Sequence, residues 1–122
     1  MLWELSSERP VYLQLIEQIQ NRIITGVYQP GDKLPSVRDM AAEAGVNPNT
    51  MQKSLMELER NGLVYTNRTS GRYITSDESL IKDLKSQSVK AQIIEFLDKM
   101  AMLGFREEEI KILISEALAS RN

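Results

Sequence analysis

At 122 residues the chain has room for one compact domain and a short appendage, but not for a second full domain such as a large effector-binding module. Cysteine and histidine are both absent, which excludes thiolate and imidazole metal sites, cysteine or histidine nucleophiles, the Ser-His-Asp triad and disulfide stapling. The formal net charge of -2 argues, taken alone, against a nucleic-acid partner, so the distribution of charge matters more than its total.

Between Lys33 and Arg72 the positive residues are Lys33, Arg38, Lys53, Arg60, Arg68 and Arg72, against only Asp39, Glu43, Glu57 and Glu59. From Ser76 onward carboxylates outnumber cations, so the tail is acidic and the centre of the chain is mildly basic. Few cations per chain imply modest nonspecific affinity for a polyanion. No stretch approaches the roughly 20 consecutive apolar residues of a membrane helix, and MLWELSSERP lacks the basic start and apolar core of a signal peptide. A cytoplasmic protein with no membrane partner is expected.

In chain order, the first helix is expected from Pro10 to Thr25, with Ser7 as N-cap, Pro10 in the first turn and Gly26 as stop. Tyr12, Leu15, Ile16, Ile19 and Ile23 recur at helical spacing as its buried stripe. Pro30-Gly31 then makes a turn, and Pro35 forces Leu34 into extended backbone. A second helix runs to Ala44 from the cap Ser36, with Asp39 placed as in a capping box, and Gly45 supplies the turn. Asn47 caps the third helix, Pro48 takes its first position, and Gly62 follows its end at Asn61. On that helix Met51, Leu55 and Leu58 share the inward face, whereas Asn49, Lys53 and Arg60 point outward.

Leu63–Thr66 and Arg72–Thr75 read as two short strands joined through Asn67–Gly71, with the tip turning chiefly through Asn67 and Gly71. Helix, turn, helix and hairpin in that order are the plan of a winged helix-turn-helix, which sets one helix in the major groove and a hairpin beside it. After Ser76, a candidate cap, a long helix is expected to Leu103, closed by Gly104, and Arg106–Glu109 opens a last helix reaching Ala119. Val89, Ile93, Phe96, Met100 and Leu103 line one stripe of the long helix, and Ile112 points away from the stripe of the last. Two helices packed only on each other leave part of this surface wet, so a second copy of the chain is the expected cover. The fold class expected is mainly α with a small β-hairpin: a winged helix-turn-helix over residues 1–75 and a dimerisation hairpin over 76–122.

Three motifs, PVYLQLIEQI, PGDKLPSVRDMA and GVNPNTMQKSLMELERNGLVY, follow one another at the spacing of the GntR family of bacterial transcription regulators, which the chain resembles over roughly residues 10 to 75. The two-helix tail is similar to that of the small YtrA-like subfamily. The resemblance implies a homodimer, typically a repressor; two recognition helices in a dimer would read a palindromic operator in double-stranded DNA, and no cofactor is expected. It implies that Ser36 approaches phosphate and that Arg38 reaches phosphate or a guanine edge. It further implies that Asn47, Asn49, Thr50 and Lys53, with the wing from Arg68 to Gly71, line the duplex. Elementary chemistry agrees: helix N-termini offer N–H groups to phosphate, asparagine pairs with adenine and arginine with guanine. Relatives carry a Gly-x-Gly wing, whereas Thr69 stands here at the first glycine. Arg68 and Arg72 are therefore expected to supply backbone-directed charge with little reading of bases.

Plainer roles compete at several positions. Arg38 as a surface residue would pair with Asp39 or Glu43, and capping alone accounts for Asn47 and Pro48. Glu107, Glu108 and Glu109 spread over most of a helical turn and complement the helix dipole better than they hold a metal. An effector site for an unidentified small molecule stays open, with no residue assigned to it. Of the rival functions, a protein-recruiting winged helix lacks apolar anchors on the third helix, and a carboxylate hydrolase lacks any nameable acid pair or nucleophile with a base.

Overall fold

The computed structural model describes residues 3–121 and is mainly helical with one small antiparallel hairpin. The elements are α1 (Val11–Ile24), α2 (Val37–Ala44), α3 (Pro48–Arg60), β1 (Val64–Asn67), β2 (Gly71–Ile74), α4 (Glu78–Met102) and α5 (Glu107–Ala119). They form two compact units, one through Leu84 and one from Lys85.

In the first unit, the apolar stripes expected for α1 and α3 meet. Leu15, Ile19 and Ile23 of α1 and Met51, Leu55 and Leu58 of α3 are almost fully buried, joined by Met40 of α2 and by Val64 and Ile74 of the hairpin. Each such side chain contributes on the order of 1.5–3 kcal/mol through burial, enough to hold short helices that would not persist alone. The first turns of α4 belong to this core as well, since Leu80, Ile81 and Leu84 pack partly buried against it. The first compact unit therefore extends beyond residue 75.

Most termini fall where the local residues placed them. Ser36 Oγ accepts the Asp39 N–H at 3.1 Å, Asn47 Oδ1 accepts the Asn49 N–H at 2.8 Å, and Gly45 takes φ +71° between α2 and α3. Two caps differ. Pro10, in extended backbone, is the N-cap of α1 instead of Ser7, and the preceding segment is held by Gln14, whose carboxamide accepts from the Ser6 N–H and donates to the carbonyls of Ser6 and Arg9. At α4 the cap is Asp77, not Ser76: Asp77 Oδ1 accepts from the N–H groups of Ser79 and Leu80.

The hairpin is one residue closer to its tip than expected, because Asn67 pairs with Gly71 across a loop of Arg68, Thr69 and Ser70. Sequence inspection missed a further pairing. Asp32–Leu34 runs beside β2, with the Leu34 N–H on Arg72 O at 2.9 Å, the Ile74 N–H on Asp32 O at 2.8 Å, and Lys33 opposite Tyr73. Extended backbone before Pro35 was legible, but the strand it would find was not.

Among the described residues of the second unit only Ile110 is buried. Ile93 and Ile112 are 51% and 60% exposed, Val89, Phe96 and Leu103 are exposed too, and Met100 is half-buried. The Arg106 N–H donates to Glu109 Oε1 at 3.1 Å, which satisfies one donor at the start of α5.

Candidate nucleic-acid interface

The site begins with two helix N-termini. Ser36 and Asn47 cap α2 and α3 with their side chains. In α3 Pro48 has no N–H, the Asn49 N–H donates to Asn47 Oδ1 and that of Thr50 to the Asn47 carbonyl, so among the described residues only α2 keeps first-turn backbone donors, those of Val37 and Arg38, without a partner. Arg38 sits in the first turn of α2, exposed, and among the described residues it has no hydrogen bond or ion pair. The surface-pair alternative fails on geometry: Glu43 lies 3.7 Å from Arg22 and accepts from Trp3 Nε1 at 3.0 Å. Arg22, with a side chain only 5% exposed, stacks 3.8 Å from the Trp3 ring and holds its guanidinium beside that still-exposed carboxylate.

On α3, Asn49 is exposed and Thr50 half-buried. Lys53 is exposed, but its Nζ rests 3.8 Å from the centroid of the Tyr12 ring on α1. Ser54 is buried beside it, with Oγ at 3.0 Å from the Tyr12 carbonyl oxygen and 3.1 Å from that of Thr50. Tyr12 thus fixes the start of α1 to α3 through its backbone and steadies Lys53 through its ring. Asn49 and Lys53 share a shallow groove with Tyr12, Gln52, Met56 and Arg60.

A second open groove, of roughly 700 Å³, separates the start of α2 from the wing and brings Ser36, Arg68, Gly71 and Arg72 together with Lys33. Arg68 is exposed at the tip and, among the described residues, has no hydrogen bond or ion pair. The tip turns as anticipated at Gly71, with φ +117°, where a β-carbon would also meet Lys33 Cε at 3.4 Å. Asn67 contributes differently: it keeps negative φ, and its Oδ1 accepts from the N–H and the hydroxyl of Thr69. Thr69 thereby gains a hydrogen bond in the loop without needing a glycine backbone.

Arg72 departs from the free cation expected of it. Its Nε donates to Glu59 Oε1 at 2.8 Å, with the side chain 17% exposed, and the Thr66 hydroxyl donates to the same oxygen. Sequence inspection missed Glu59, Lys33 and Tyr12 as parts of this region, because each acts through a partner distant in sequence. Burial alone would raise the Glu59 pKa, but the hydrogen bonds from Thr66 and Arg72 and the charge of Arg72 outweigh it and hold the carboxyl below its ordinary value. The ionised form is favoured in the fold, so its contribution is full above about pH 4.5 and is lost as pH falls through the lowered value. Thermal unfolding followed from pH 7 downward should show a smaller acid loss of stability for Glu59→Gln than for the native chain. Parallel acid limbs for the two would show that the pair does not favour the ionised carboxyl.

The arrangement offers the first-turn N–H groups of α2, exposed amides and hydroxyls, and the guanidinium groups of Arg38 and Arg68, which have no partner among the described residues: donors for phosphate and base edges. It brings together no nucleophile with a base, and among the described residues no metal-binding cluster forms. No described helix is long and apolar enough to cross a membrane.

The model of the bacterial regulatory proteins of the gntR family matches residues 11–74, which span α1 to the end of β2. The HTH-type transcriptional regulator YhcF of Bacillus subtilis is 39% identical over 107 residues, 88% of either chain. The HTH-type transcriptional repressor YtrA of the same organism is 39% identical over 111 residues, 91% of this chain and 73% of YtrA. Among solved structures, a GntR family transcriptional regulator from Listeria monocytogenes superposes with a TM-score of 0.86 at 36% identity, over 92% of this chain and 98% of that one. With the winged helix-turn-helix, the exposed Arg38 and Arg68 and these likenesses together, the chain belongs to the GntR family and is a DNA-binding transcription regulator.

Proposed function

We propose that the chain is a dimeric repressor that reads a palindromic operator, with the unit through Leu84 contacting DNA and the helices beyond it joining two copies. The observation that carries the DNA reading is Arg38, an exposed guanidinium in the first turn of α2 whose acidic neighbours are engaged elsewhere or unpaired with it. A bidentate arginine on guanine is the commonest base-specific contact, and helix-turn-helix docking brings this part of the motif to the duplex. Asn47, Asn49 and Thr50 at the start of α3 face base edges, while Ser36, Lys53 and Arg68 meet the backbone. Lys33 joins them as a further cation beside the wing, and Gly71 permits its close approach. Arg72 supports the wing through Glu59 and contributes its charge secondarily. The repressor assignment rests on the likeness to YtrA, itself a repressor. Footprinting on DNA upstream of the chain's own gene tests the proposal, with salt-sensitive protection expected and a salt-insensitive, unprotected duplex contradicting it.

Lys53 sharpens the assignment of backbone contacts. An ammonium at phosphate releases about one counterion on binding, so Lys53→Ala should weaken operator and scrambled DNA by similar factors and reduce the salt slope by about one unit per chain. Binding titrations of both duplexes over a salt series measure this directly. Loss confined to the operator would place Lys53 at a base edge instead.

A further inference from the structure

Glu59 lies at the far end of α3 from the helix start proposed to meet DNA, yet its side chain ties α3 to both strands of the wing. Thr66 of β1 and Arg72 of β2 are cross-strand partners, and both donate to the same oxygen, Glu59 Oε1. The next pair outward is Asn67–Gly71, and Arg68 follows at once. The hairpin's other ties are Val64 and Ile74 in the core, toward its base, and on its outer edge the pairing of Lys33 with Tyr73 and the Leu34 N–H on Arg72 O. Beyond Thr66 and Arg72 the tip is held by its own turn and by the Tyr73 hydroxyl, which donates to Ser70 Oγ at 2.9 Å.

We infer that Glu59 is a positioning residue for the wing: one carboxylate clamps both strands and sets the angle at which Arg68 and the start of α3 meet a single duplex. The inference rests on the wing contact of the proposed function. A hairpin of two four-residue strands is marginal by itself, so its direction relative to α3 depends on such ties. Because Glu59 bears negative charge, direct contact with phosphate would be unfavourable; any contribution to binding runs through the strands it holds.

A double-mutant cycle on the full chain distinguishes this from plain stabilisation. The probe is a duplex selected by the native chain from a random pool, and affinity is read by fluorescence anisotropy at one salt concentration. Glu59→Gln preserves size and should weaken binding about three- to tenfold, and Arg68→Ala about tenfold. With Arg68 already removed, adding Glu59→Gln should cost less than about twofold, because the wing then has little contact left to misplace. Losses that multiply, or a Glu59→Gln chain that binds like the native one, overturn the inference. Amide hydrogen exchange gives an independent reading: Glu59→Gln should speed exchange across residues 67–71 while leaving the core of α3 protected. Unchanged exchange at the tip also overturns it. A neutral Arg68→Ala with faster tip exchange in Glu59→Gln would refute the wing's contact with DNA and leave the clamp standing.

Discussion

Ending the chain after Leu84 should lower operator affinity by about 100-fold or more while leaving the winged helix-turn-helix folded. The cut is placed there because Leu80, Ile81 and Leu84 pack on the first core, so an end at residue 76 would confound loss of pairing with loss of folding. Beyond Leu84 the chain carries Val89, Ile93, Phe96 and Leu103 exposed on α4 and Ile112 exposed on α5, more apolar surface than a helix pair leaves wet without a partner. If a second copy covers it, the two recognition helices bind as a unit, and the second half-site engages at an effective concentration that a lone unit lacks. Sedimentation of the full chain at micromolar concentration should show a dimer, and the shortened chain a monomer with a native-like melting transition. A shortened chain that binds the operator as tightly as the full one would show that the hairpin has no part in DNA binding.

Arg38→Ala should produce the largest effect of any single substitution on the interface. A bidentate arginine–guanine pair is worth about 1–3 kcal/mol of discrimination at each half-site, and a dimer uses two. Since Arg38 is exposed and without a partner among the described residues, its removal leaves no buried charge behind, and the melting temperature should not change. Arg38→Lys separates shape from charge, because the ammonium keeps the attraction to phosphate but not the planar fork. Affinity for scrambled DNA should survive in Arg38→Lys while preference at one base position per half-site is lost. Equal affinity of native and Arg38→Ala chains for the operator would remove the first turn of α2 from the duplex.

What could be read from the sequence was what is local. Ser36, Gly45 and the Asn47-Pro48 pair act within one turn of themselves, so the helix-turn-helix and the direction of its two N-termini followed from residue type alone. The stripes of α1 and α3 were equally legible, since periodicity survives whatever the helices pack on. The caps of α1 and α4 were misplaced because nearby residues compete: Pro10, three positions on, took the place offered to Ser7, and Asp77 displaced its neighbour Ser76 with a stronger acceptor. What escaped entirely were partnerships across the chain. Arg72 looked like a free cation until Glu59, 13 positions earlier, was seen beside it, and Lys53 looked unsupported until Tyr12 was found beneath its ammonium. Both interactions depend on the angle between packed elements, which no periodicity encodes.

Selection from a random duplex pool by the full chain tests the central claim most directly, because it presumes no operator. The enriched sequences should form an inverted repeat whose half-sites lie about one helical turn apart, and Arg38→Ala should relax one position in each half. Recovery of unrelated sequences, or of a single unrepeated site, would contradict a symmetric reader built on α2, α3 and the wing.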